Sequence, residues 1–308
     1  MAVRLLLILA ARTPLDMEHT HAEHAPPIRY ALLLGGMLLT ALMTLPVAAD
    51  FRSALGTSVP LLIETVTPGM TFVMLLLLIV LYQLLAHVLA HHLNPVVALF
   101  IVGFGLSILA LSVGGIDRFA WAEGSLWALG IETCLWSLVV LYMVWSLMRS
   151  SGGLPDVNHD WHAEPIGSWA SLTSQPSLYA LACGLLALPI AWLMLASTTP
   201  AQALGAAIVG AFLAGMLARV VAPKLDPILI YFGVVLAGGL AQLVIATGWS
   251  GSLADALVEG SAPRLVQIMP ITWVAGSLIG VSMGIGWARS FVDDPSEERA
   301  VSATSRPA

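Results

Sequence analysis

Apolar residues fill this chain in long blocks separated by short polar stretches. Blocks of about twenty mostly apolar residues match a bilayer core of roughly 30 Å at about 1.5 Å rise per residue. Eight such blocks are present: Tyr30–Ala49, Met70–His92, Pro95–Ile116, Ser125–Met148, Leu178–Thr198, Ala203–Ala222, Pro227–Thr247 and Leu265–Ala288. Backbone polar groups in lipid must bond within their own segment, so each block is predicted to be a helix. Pro95 and Pro227 stand at the first turns of the third and seventh blocks, where a missing N–H costs little. Pro189 and Pro270 predict kinks in the fifth and eighth.

The order of landmarks repeats. Pro27, Tyr30, Ala31, Leu32 and Gly35 have the spacing of Pro176, Tyr179, Ala180, Leu181 and Gly184. Further on, Leu93-Asn94-Pro95 answers to Leu225-Asp226-Pro227, and Glu123-Gly124-Ser125 to Glu259-Gly260-Ser261. Trp145 with Arg149 then matches Trp287 with Arg289. Leu and Ala identities alone would mean little, but Pro, Tyr, Glu, Trp and Arg recur at the same stage of each half. An even number of spans per half gives both halves the same orientation, hence an axis along the membrane normal. The prediction is an all-α integral membrane protein of about eight transmembrane helices arranged as two parallel four-helix repeats. Residues 27–150 form the first and 176–290 the second, joined by a cytoplasmic linker, 151–175. The first copy carries an insertion, Thr57–Gly69, that contains Glu64. The second is rich in small residues at four-residue spacing, such as Gly276-Gly280-Gly284, which predicts close helix packing in its last three spans.

Composition sharpens this. The chain is 58% hydrophobic and 10% charged, too apolar for a water-soluble domain. A net charge of −6 without a basic cluster excludes nucleic acid as a partner and leaves the lipid bilayer and membrane-protein partner subunits. Arg4, Arg12, Arg29, Arg149, Arg219, Lys224, Arg289, Arg299 and Arg306 fall on one side of the predicted spans, and only Arg52, Arg118 and Arg264 on the other. The positive-inside bias puts both termini in the cytoplasm and the chain in a cell (inner or plasma) membrane. Residues 1–26 read as a disordered tail or an over-long start, with Met17 as the initiator. The short apolar run Val3–Ala11 resembles a signal-peptide core but is too brief to span. Residues 291–308 read as a disordered acidic cytoplasmic tail.

Ionisable groups inside spans are the default functional candidates. Glu132 is the one carboxylate well inside a block, and His87 lies toward the cytoplasmic end of the second, with Gln83 one turn deeper and His91 one turn beyond. The repeat aligns His87 with Arg219, so Glu132, His87, Arg219 and Gln83 form the expected substrate path, placed between the two halves. No catalytic constellation is found, because paired carboxylates, or a His with a nucleophile, at one depth are missing. Gly280-Val281-Ser282-Met283-Gly284 has the nucleophile-elbow spacing but lies mid-helix, where its glycines serve packing. All eight histidines fall on one side, including His19, His21 and His24 in the tail and His159 and His162 in the linker. None makes a convincing metal or haem site, so no cofactor or metal is expected. Cys134 and Cys183 sit in apolar runs as small buried residues. The leading expectation is a small-solute or ion permease, or the membrane subunit of one. The second is a non-catalytic scaffold or assembly subunit of a larger membrane complex.

Overall fold

In a computed structural model, residues 26–151, 167–168, 172–223 and 226–292 are described. The run Val3–Ala11, Met17, the histidines of the tail and linker, Trp161, Trp169, Lys224 and the acidic tail lie outside the described residues.

Helices account for almost all of the regular structure. The first half holds α1 (Pro26–Asp50), α2 (Pro68–His92), α3 (Pro95–Val113), the short α4 (Ile116–Trp121) and α5 (Leu126–Ser151). The second holds α6 (Gln175–Gly184), α7 (Ala187–Met194), α8 (Pro200–Val221), α9 (Ile228–Gly248), the short α10 (Leu253–Val258) and α11 (Pro270–Val292). Counting α6 and α7 as one interrupted span, eight helices among the described residues are long and apolar enough to cross a membrane.

Local chemistry sets the ends. Asn94 caps α3 by accepting the Val96 N–H at 2.8 Å, with Pro95 following as the first helical residue. Asp226 accepts the Ile228 N–H at 3.3 Å at the start of α9, where Pro227 is the cap residue. The third span stops at Val113, short of the predicted Ile116, because Gly114 adopts φ 101°, a backbone that ends the helix and frees Ile116 to begin α4. Pro270 corrects another expectation. It does not kink the eighth span but opens it, since Arg264–Gln267 form a preceding 3-10 turn. Pro189 does interrupt the fifth. It has no N–H for the Leu185 carbonyl, which accepts instead from Leu188 at 3.2 Å. Leu185 and Leu186 bond three residues back, to Ala182 and Cys183, and the helix breaks there.

Packing centres on α11. In its apolar stretch 83% of residues are buried, against 22% in α1 and 28% in α2. Large apolar side chains such as Leu38, Leu45, Phe72 and Leu84 point outward from α1 and α2, the sides suited to lipid. Helix α8 lies along α11 in the most extensive contact of the molecule. A β-carbon on Gly276 would meet Ala207, on Gly280 the Ile208 carbonyl, and on Gly284 the Phe212 carbonyl. The halves meet where α3 lies on α11 and α5 on α9. Glycines close this seam too: Gly103 rests on Leu278 and Ile279, Gly130 on Leu243, and Gly239 on Cys134.

Replacing Gly280 by Ala forces a methyl into the α8 backbone, whereas nothing lies within 4 Å of a β-carbon on Gly286. Gly280→Ala is expected to cost about 1–3 kcal/mol, and Gly286→Ala less than about 0.5 kcal/mol. Thermal unfolding of both variants in detergent checks this; equal midpoints would refute the packing of α8 on α11.

Candidate functional site

Titratable chemistry gathers at the end of the bundle away from the described chain ends. The connection from α1 to α2 folds back there as a strap, residues 51–67. Its base is a short antiparallel bridge between Arg52 and Ser58. The Val59 N–H bonds the Phe51 carbonyl at 3.0 Å, and the Val66 N–H bonds that of Arg52 at 2.9 Å. Gly56, at φ 76°, makes the reversal. Phe51, Val59 and Leu61 are fully buried and hold the strap down. Leu61 joins a small second core with Ile116 and Phe119 of α4, Leu129 of α5 and Leu253 of α10.

This seating carries the 3-10 turn Leu62–Glu64 onto α5. The Leu62 N–H donates to both carboxylate oxygens of Glu132, at 3.3 and 3.2 Å. The Trp136 indole, one turn along α5, is a further donor to the same group. Glu64 sits beside Glu132 and against Gly124 and the Phe119 ring. Both its carboxyl oxygens are buried without a hydrogen-bond partner among the described residues. Burial first, and the neighbouring Glu132 charge second, push the Glu64 pKa up from 4.5 to about 8. Glu132 is supplied with donors and Glu64 is not, so a proton shared by the pair resides on Glu64.

This corrects the expectation that no paired carboxylates exist. Spacing along the chain could not reveal the pair, because 68 positions separate the partners and one is in a loop. A signal was present: Glu64 is the lone acid in an insertion otherwise apolar at Leu61, Leu62, Ile63 and Val66.

One face of α5 leads away from this pair through the main apolar core, where Trp136 and Met143 are buried, to Ser146. Glu132, Trp136, Met143 and Ser146 recur at helical spacing and share one side. At its far end α2 crosses α5. Gln83 donates from Nε2 to the Met143 carbonyl at 3.2 Å. His87 Nδ1 lies 2.7 Å from the Gln83 carbonyl, which only accepts, so Nδ1 carries a proton. Its Nε2 faces Ser146 Oγ at 3.5 Å, a long contact. Gln83 Oε1 is buried without a partner among the described residues. Fourteen residues of helix, roughly 21 Å, separate Glu132 from Ser146. Structure thus joins Gln83 to His87, sets Glu132 with Glu64, and aligns both sets on α5. Arg219 is not part of this line. It is 2% exposed on α8, which packs chiefly on α11, α6 and α7.

Other buried polar groups tie helices together. Tyr82 OH donates to the Thr40 carbonyl at 2.9 Å and meets Thr44 Oγ1, which also bonds the Gly105 carbonyl at 3.1 Å. Thr133 Oγ1 donates to Gln242 Oε1 at 2.6 Å, and Gln242 Nε2 to the Ile268 carbonyl at 2.7 Å. Ser282 of the elbow-like sequence bonds Tyr231 OH at 2.8 Å from within α11, and its flanking glycines face α8. Cys134 and Cys183 are free thiols, the first half-buried. Among the described residues no three His, Cys, Asp or Glu side chains are grouped to hold a metal.

Native Glu64 keeps its proton up to about pH 8, whereas an unfolded glutamate releases it near 4.5. Between these values the native state binds more protons, so stability falls as pH rises through the window and levels off above it. Glu64→Gln is expected to flatten that slope, raising the midpoint relative to wild type at pH 9 more than at pH 6. Thermal unfolding across pH 5.5–9 measures it, and an unchanged slope in the variant would remove Glu64 from the account. Compared with protein families, with curated proteins and with solved structures, the chain matches none.

Proposed function

We propose that this chain is a small-solute or ion permease, or the membrane subunit of one, and that its coupling route is the face of α5 from Glu132 to Ser146. The observation that carries the reading is the placement of the Glu64–Glu132 pair and of Gln83, His87 and Ser146 at the two ends of one face of α5. Such groups are expensive in an apolar bundle and are retained where protons, ions or polar solutes pass. The route therefore runs within the first half, along α2 and α5, and not between the halves or past Arg219. Lys and Arg distribution supports cytoplasmic termini in an inner or plasma membrane, with the Glu64–Glu132 end outside.

Two parallel four-helix repeats form the frame in this reading. Reciprocal packing supports it: α3 lies on α11 as α9 lies on α5, and α1 on α3 as α6 on α9. Asn94, the cap of α3, and Asp226, one residue before the cap of α9, each accept the backbone N–H two residues on. A short helix precedes the Glu-Gly-Ser landmark in both halves, α4 in one and α10 in the other.

Backbone-close packing of α8 on α11 favours a second reading, a rigid scaffold or assembly subunit. Co-purification with stoichiometric partners, without flux, would select it.

Protein reconstituted in vesicles and given a potassium diffusion potential is expected to move protons, read by a trapped pH dye. Glu132→Gln and His87→Ala should each slow this by about tenfold or more, a barrier increase of about 1.4 kcal/mol. Wild-type rates in both variants would sink the reading.

A further inference from the structure

We infer that the turn Leu62–Glu64 is a proton-controlled latch on Glu132, closed over the outer end of that face of α5 while Glu64 is protonated and lifted when Glu64 ionises. It rests on the α5 line being the route, and adds how access to that route is regulated.

The geometry divides the strap into an anchor and a moving piece. Phe51, Val59 and Leu61 are fully buried, and the Arg52–Ser58 bridge ties the base together. Beyond Leu61 the turn is held differently. Ile63 is 66% exposed and Val66 60%. Leu62 packs partly on the main core and Thr65 is buried, and the turn's polar bond to the bundle is a single main-chain donor, Leu62 N–H, to Glu132. That bond places Glu64 against the carboxylate that accepts it. Closure thus brings two acids together and strips one of water without giving it a donor. A neutral Glu64 tolerates this position. An ionised one is left buried, unpartnered and beside a like charge, and relieves all three costs by turning out to water.

Among the described residues, no cation acts on Glu64. From α5 it faces Glu132, and from the α4 segment it faces the Phe119 ring and Gly124, neither of which titrates. Asp117 and Arg118 on α4, Glu123 beyond it and Arg52 on the strap are all exposed to solvent. Sign follows from the proton. Closure binds one at Glu64, so low pH favours the closed latch and rising pH releases it to water, opening the turn around pH 8. An outer compartment more acidic than this keeps Glu132 covered.

Hydrogen exchange at the Leu62 amide reports on the latch directly, because that N–H is the bond in question. Full-length protein in nanodiscs is exchanged from pH 6.5 to 9.5, with rates divided by the intrinsic rate at each pH. Wild-type protection is expected to fall at least about tenfold, 1.4 kcal/mol of closure, with a midpoint near 8, while Val59 protection stays constant. Glu64→Gln should hold the Leu62 amide protected throughout. Flat protection in wild type overturns the latch, and so does an unchanged fall in Glu64→Gln or a fall shared by Val59. The wild-type profile alone decides if the variant fails to fold. Exchange is read without flux, so the two readings fail separately. A pH-dependent latch in a chain that moves no protons would retire the permease, and flux through a pH-insensitive strap would retire the latch.

Discussion

Lipid gives apolar helices no reason to prefer one another, so contact between backbones at small residues is what gathers this chain. Helix α11 is where that contact is densest, with Gly276, Gly280 and Gly284 each set against α8 main chain or Ala207. On its other sides α11 takes α3 at Gly103, and α5 and α9 close the same seam at Gly130 and Gly239. Helices α1 and α2 are left at the margin, largely exposed. Wherever glycine admits backbone contact, no room remains for a polar route. Glycine is scarce at the crossing of α2 with α5, where the proposed route lies.

Polar groups in such a bundle are accounted for one by one. Thr44 and Tyr82, Thr133 and Gln242, and Tyr231 with Ser277 and Ser282 bond within the protein and serve as cross-links. Their hydroxyls and amides are neutral, and interhelical bonds of this kind contribute about 0.6 kcal/mol on average. Gln267, in the turn before α11, keeps a buried acceptor that nothing described satisfies, and so do Glu64 and Gln83. The latter two belong to the α5 line, at its two ends.

Hydropathy made the eight spans legible because lipid imposes length and apolarity on each segment independently. Span ends were legible where Asn94 or Pro95 acts on its own helix, and less so at Gly114 and Pro270, where the neighbouring turn decides. The glycine ladders were legible as well, since a four-residue spacing already defines a helix face. Glu132, His87 and Gln83 could be named as candidates, yet their grouping could not. Glu64 reaches Glu132 only because Phe51, Val59 and Leu61 fold the strap back, and no periodicity encodes that return. The proposed route on α5 could not be read from spacing for a related reason. Sequence shows which residues are small, but not which seams the small residues close.

The proposed repeat makes the difference between the halves intelligible. In the register that aligns Asn94 with Asp226, His87 corresponds to Arg219 and Gln83 to Gly215. Gly215 lies against the Val281 backbone, 3.0 Å from where its β-carbon would meet the Cα. A glutamine there would push α8 away from α11. At the position that the proposed repeat aligns with it, Gln83 links α2 to α5 by bonding the Met143 carbonyl. In the proposed repeat, one position thus admits backbone contact in the second half and carries a polar cross-link in the first. The insertion that holds Glu64 lies above the cross-linked crossing and has no counterpart above the other. Copies of one four-helix unit would in this way divide the work, the glycine-rich half supplying rigidity and the other the chemistry that rigidity allows.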